Sequence, residues 1–166
     1  MPCRKTAISP RSHRISWHNF RMESTDHQIL ELLAHDGRMS YTDIGRETGL
    51  STSAAQQRVR RLEQRGVITG YRAVLDPEAL GKMITAFVQL RPLDPTTDDQ
   101  IPEKIAALGG IASCYSVAGA ASHLLKVQVT TPHELESLLT QIRRIANAST
   151  ETMLVLSVAY ADRPPV

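Results

Sequence analysis

Residues 51–65 read Ser-Thr-Ser-Ala-Ala-Gln-Gln-Arg-Val-Arg-Arg-Leu-Glu-Gln-Arg. At about 100° per residue, Ala55, Val59 and Leu62 form one stripe, while Ser53, Gln57, Arg60, Arg61 and Gln64 lie on the opposite side. Hydroxyl, amide and guanidinium groups on one exposed helix face are the chemistry that reads base edges and grips phosphates in a major groove. The candidate contacts are Ser51, Thr52, Ser53, Gln56, Gln57, Arg58, Arg60, Arg61 and Gln64. Arg58, Arg60, Arg61 and Arg65 against Glu63 leave this helix at +3. A solvated amphipathic helix would share the pattern, so the neighbouring elements decide its meaning.

Those neighbours have the make-up to present the face to a duplex. Ser40 precedes Tyr41-Thr42-Asp43, a hydroxyl cap followed by an acid in the first turn, where the helix dipole favours it. Ile44 faces inward, and Gly45 lets a second helix approach closely. Thr48-Gly49-Leu50-Ser51 then ends the helix on a Gly suited to left-handed geometry, plugs the core with Leu50 and caps the next helix with another hydroxyl. So short a turn makes the two helices cross steeply. A further helix is expected from Thr25, where Thr25-Asp26-His27-Gln28 fits a capping box, with Ile29, Leu30, Leu32 and Leu33 inward. Residues 66–77, bounded by Gly66 and Asp76-Pro77, predict a turn and a β-segment, completing a winged helix-turn-helix over residues 24–76.

Beyond a hinge at residues 77–83, strands alternate with helices. Strands are predicted at 84–90, 111–117, 124–130 and 152–160, with helices from near Asp99 and from Thr131. The second helix starts on Thr131-Pro132-His133-Glu134, a capping box with Pro at the first helical position. The order βαββαβ is that of a ferredoxin-like sandwich, giving an α+β chain. Its helices cover one sheet face. Met153, Val155 and Ala159 oppose Leu154, Leu156 and Val158 along the last strand, so the open face calls for a partner, and a dimer through the sheets is expected.

The turn Gly119-Ala120-Ala121-Ser122-His123 is the second place where chemistry could occur. Its small residues expose backbone N–H groups to a free carboxylate, Ser122 adds a hydroxyl and His123 an adaptable ring. A plain hairpin connection has the same composition.

The six histidines, His13, His18, His27, His35, His123 and His133, show no metal-ligand spacing. Cys114 and His123 fall on successive strands, but no third group is evident to orient the ring, and Cys114 reads as a buried structural residue. No phosphate loop or Gly-rich dinucleotide signature is present, so an enzyme, a metal and a cofactor are not expected. No apolar run reaches the ~18 residues of a membrane span, and the two cysteines fit a reduced cytoplasmic setting. The net charge of +2 hides an uneven distribution: residues 1–24 carry +4, residues 25–76 are neutral and residues 77–166 carry −2. Residues 1–23 lack periodicity and predict a disordered basic arm. An Arg-rich transit segment, or a natural start at Met22, would fit them too.

The stretches Asp36-Gly37-Arg38, Gly49-Leu50-Ser51, Arg58-Val59-Arg60-Arg61-Leu62-Glu63, Gly66-Val67-Ile68 and Gly70-Tyr71 closely resemble the DNA-binding half of the Lrp/AsnC family, the feast/famine transcriptional regulators. The likeness runs over about residues 24–162. It implies a sequence-specific regulator of amino-acid metabolism binding double-stranded DNA, with dimers closing into rings, an octamer among them, and with an amino-acid effector held around the turn 119–123. Many relatives carry acidic residues after the Gly and an aromatic near the turn's end. Ala120, Ala121, Ser122 and His123 stand there instead, which leaves the partner of a ligand's ammonium group unidentified; because Ala120 and Ala121 bring no charge to complement a charged side chain, alanine or another small apolar amino acid is the expected effector. The rival reading is the regulatory subunit of a metabolic enzyme, with the helix-turn-helix making protein contacts. The amide-bearing basic face argues against it.

Overall fold

The computed structural model describes residues 22–161, 163 and 164, so the expected arm lies almost wholly outside the described residues. The chain divides into two compact units, the first running to Arg72 and the second spanning Ala73–Arg163. That division falls ahead of the predicted hinge, whose residues instead close a turn in which the N–H of Lys82 donates to the carbonyl of Pro77 at 2.8 Å.

In the first unit, α1 (Ser24–His35), α2 (Tyr41–Thr48) and α3 (Thr52–Gln64) enclose a core of Ile29, Ile44, Ala55, Val59 and Leu62. The hydroxyl caps form as expected: Ser40 Oγ accepts from the N–H of Asp43 at 3.1 Å, and Ser51 Oγ from that of Ala54 at 3.2 Å. Gly49 ends α2 at φ 70°, where only Gly is free of strain. A Cβ on Gly45 would sit 2.7 Å from the carbonyl oxygen of Leu50, so this Gly sets how closely the turn folds against α2. Helix α1 departs from expectation at its start. Its cap is Glu23, and Thr25 and Asp26 lie within the first turn. Asp26 forgoes any capping role because its side chain is buried against arginines of α3.

The predicted wing strand is not formed. The N–H groups of Val67 and Ile68 turn back onto the carbonyl of Leu62 at 3.0 and 3.2 Å, and the hydroxyl of Tyr71 donates to Glu63 at 3.0 Å. With its first donors spent on the end of α3, and no neighbouring strand among the described residues, the segment has no ladder to join.

The second unit is built from β1 (Ile84–Pro92), a 3-10 turn at Pro95–Gln100 leading into α4 (Ile101–Ile105), β2 (Ile111–Ser116), β3 (His123–Val129), α5 (Pro132–Ala146) and β4 (Ala148–Leu154). The sheet is antiparallel in the order β2-β3-β1-β4, the ferredoxin-like arrangement. Ala86, Val88 and Leu90 of β1 and Leu125, Val127 and Val129 of β3 face Ile101, Ile105, Leu138 and Ile142 in one core. Thr131 caps α5 through the N–H of Glu134 at 3.1 Å.

The last strand begins and ends earlier than predicted. Asn147, at φ 48°, stops α5 and turns the chain directly into β4, whose polar residues 149–152 pair with β1 in the register Arg91↔Ser149 to Val88↔Thr152. After the N–H of Val155 donates to the carbonyl of Thr85 at 2.9 Å, β1 has only its first residue, Ile84, left to stand opposite Leu156, and the chain beyond has no β1 residue to meet. Leu156, Val158 and Tyr160 are left exposed.

Candidate nucleic-acid interface and effector turn

Helix α3 presents Ser51, Thr52, Ser53, Gln57, Arg60 and Gln64 to solvent, with Gln56 half-buried beside them. Ser53, Ala54, Gln56, Gln57 and Arg60 line a groove of about 410 Å³. The opposite side is packed: Ala55, Val59 and Leu62 are fully buried in the three-helix core. The sequence therefore separates the two faces correctly for most of the helix.

Arg58 departs from its predicted place. Its guanidinium donates to the Asp26 carboxylate at 2.8 Å and pairs with Glu23 at 2.8 Å, which ties α3 to the start of α1. The Asp26 hydrogen bond, then that of Glu23, raises the pKa of this guanidinium further, so it is a fixed structural cation. Its predicted duplex contact is therefore corrected to an ion pair within the first unit. Arg61 is half-buried beside it. It reaches Asp26 at 3.6 Å, and its Nε is buried without a hydrogen-bond partner among the described residues.

In the second unit, the turn after β2 is closed by the N–H of Val117 donating to the carbonyl of Ser122 at 2.9 Å, and is anchored by the N–H of Ser122 donating to Leu90 at 3.0 Å. Gly119 stands at φ 144°, with open space where a Cβ would be. Gly119 and Ala120 are exposed and Ser122 is half-buried. Ala121 and His123 turn inward, at 7% and 3% exposure, so the expectation of a ligand-facing His123 ring is corrected. The ring is engaged on both sides: Nε2 lies 3.0 Å from the Asp98 carboxylate, and Nδ1 lies 3.4 Å from the hydroxyl of Ser116. The orienting third group that the sequence did not reveal is thus Asp98. Cys114 is exposed, not buried, and it pairs in register with Leu125 instead of His123.

Among the described residues, no group of His, Cys, Asp and Glu is placed to hold a metal, and no helix is long and apolar enough to cross a membrane.

Two family models match the chain: the AsnC-type helix-turn-helix domain over residues 22–63 and the Lrp/AsnC ligand binding domain over residues 85–165. The chain belongs to the Lrp/AsnC family. It is 43% identical over 145 residues to the HTH-type transcriptional regulator LrpA of Mycobacterium tuberculosis, covering 87% of this chain and 97% of that one. It is 34% identical to the leucine-responsive regulatory protein of Haemophilus influenzae, covering 83% and 86% of the two chains. Among solved structures, a feast or famine regulatory protein from M. tuberculosis complexed with L-methionine superposes with a TM-score of 0.82 at 43% identity, covering 86% of this chain and 97% of that one. Membership makes this Lrp/AsnC chain a DNA-binding transcriptional regulator with a separate ligand-binding half, and not an enzyme. In family terms, the α3 groove lies in the helix-turn-helix match and the turn 119–123 lies in the ligand-binding match.

Proposed function

We propose that this Lrp/AsnC chain regulates genes of amino-acid metabolism by binding specific duplex sequences through α3, and that a small amino acid bound at the turn 119–123 biases its assembly. Duplex contacts are assigned to Ser51, Thr52, Ser53, Gln56, Gln57, Arg60 and Gln64, with Arg61 at the margin and Arg58 held within the protein. The observation that carries the reading is the separation of α3 into a fully buried apolar stripe and an exposed hydroxyl, amide and guanidinium face.

For the effector, the turn supplies an exposed Gly119 and backbone N–H groups at Ala118, Gly119 and Ala120 that make no backbone hydrogen bond among the described residues. Such groups receive a carboxylate. Small apolar side chains fit the alanines beside them, so L-alanine is the first expectation, and the L-methionine bound by the M. tuberculosis relative makes that amino acid the second. Assembly is assigned to the sheet face away from the helices, where Phe87 pairs in register with Met153, and to the exposed apolar residues that follow β4. Covering them with a second copy gives a dimer, and dimers closing into an octamer would fix the spacing of the paired readers in the cytoplasm. An effector acts only by favouring one such assembly over another.

Calorimetry of the wild type and Gly119→Thr with L-alanine and L-methionine, run beside sedimentation, tests the effector half. The wild type binds and changes its sedimentation, whereas the branched side chain opposes the φ of Gly119 and blocks the turn. Equal binding by both proteins removes the turn from the effector site.

A further inference from the structure

The turn 119–123 contains no carboxylate, yet an amino acid bound there brings an ammonium group that needs an acceptor. The fold supplies one from elsewhere. Asp98, in the 3-10 turn after β1, lies against His123 at the first residue of β3, across a separation of 25 residues. The Nε2 atom of His123 faces two oxygens that can only accept, the Asp98 carboxylate at 3.0 Å and the Asp98 carbonyl at 3.3 Å. Nε2 therefore carries the proton. In the neutral ring, Nδ1 is then a lone pair, and the Ser116 hydroxyl, at the long end of bonding range, donates to it. The ring itself is 3% exposed, whereas Asp98 is half-buried and Ser116 is exposed.

The consequence lies at Ser116. With its proton committed to the ring, its oxygen offers only lone pairs to whatever approaches. The hydrogen-bond chain from the carboxylate polarises those lone pairs further. Ser116 is the last residue of β2 and pairs in register with His123, so it stands at the base of the turn whose N–H groups await a carboxylate. We infer that the chain Asp98, His123, Ser116 recognises the effector's ammonium group, with Ser116 Oγ as the contacting acceptor and Asp98 as a positioning residue acting through the imidazole. The inference rests on the reading of residues 119–123 as the effector turn. It names which ligands that turn prefers: free α-amino acids over carboxylic acids lacking the amine, which are held by the turn's N–H groups alone.

The test is calorimetry on the full chain with L-alanine, L-methionine and propanoate, for the wild type, Ser116→Ala, Ser116→Thr and Asp98→Asn. A hydrogen bond to a charged group predicts that Ser116→Ala weakens the amino acids roughly ten- to a hundredfold. Ser116→Thr, which keeps the hydroxyl, restores binding. Asp98→Asn, which keeps a hydrogen-bond acceptor but removes the charge, weakens the amino acids while propanoate binding stays as in the wild type. Unchanged amino-acid binding by Ser116→Ala overturns the inference, as do failure of Ser116→Thr to restore it and parallel loss of propanoate binding, which would mark a change of turn shape. No amino-acid binding by the wild type is a different result: it removes the effector reading itself, and this inference with it.

Discussion

The Arg58 guanidinium donates at 2.8 Å to the carboxylate of Asp26, a residue 3% exposed and 32 positions away in the chain. One end of the bond is in the helix that faces solvent with its polar side, and the other is in the first turn of α1. The pair therefore sets how α3 sits on the helix beneath it. It also pairs one positive charge of the basic helix within the protein.

Arg58→Ala leaves Asp26 buried with only the longer contact to Arg61, and removal of one partner from a buried pair predicts a loss of about 3 kcal/mol in stability. Arg60→Ala, on the exposed face, stays within about 0.5 kcal/mol of wild type. Urea unfolding of both variants separates the two roles, and equal midpoints would show that Arg58 does not brace α1.

Gln57→Ala is expected to relax base preference, since a bidentate amide contact contributes ~1–3 kcal/mol of discrimination. Arg60→Ala weakens all duplexes alike and reduces the salt slope by about one. Titrations at several salt concentrations check both, and wild-type affinity and specificity in the two variants would place the duplex elsewhere.

What could be read from the sequence was what is decided locally. The caps at Ser40, Ser51 and Thr131 act within three residues, and the left-handed Gly49 needs no distant partner, so each stood out in the linear chain. The strand positions followed where β1 and β3 alternate cleanly. The last strand was misplaced because residues 153–160 are the more apolar run, whereas pairing with β1 selects the polar Ser149, Thr150 and Glu151. Asn147 as the stop of α5 was the missed local signal. Arg58 and His123 were read as available because their acids, Asp26 and Asp98, arrive only through tertiary packing.

Gly45→Ala places a methyl group 2.7 Å from a backbone oxygen that cannot rotate away. Overpacking of this kind predicts a loss of about 2 kcal/mol and a looser turn between α2 and α3. Thermal unfolding measures it, and an unchanged melting point would mean that the turn can open without cost.

Desolvation first, then the hydrogen bond to Glu63, pushes the Tyr71 phenol up to about 12 from its ordinary value of 10. The raised value in the fold means that Tyr71 contributes its stability fully below pH 10 and loses it as pH rises toward about 12. The phenolate absorbance of wild type minus Tyr71→Phe reads that titration directly. Glu63→Gln removes the carboxylate and moves it back down, whereas titration of Tyr71 at its ordinary value would mean that its contact with the end of α3 is not kept in solution.

The most direct measurement is equilibrium binding of the full chain to its own upstream DNA and to a scrambled duplex at one fixed salt concentration, with and without L-alanine and L-methionine. The account predicts a preference for the upstream duplex of at least roughly a thousandfold, and a shift in affinity or in complex size when the effector is added. Equal affinity for the two duplexes would contradict it.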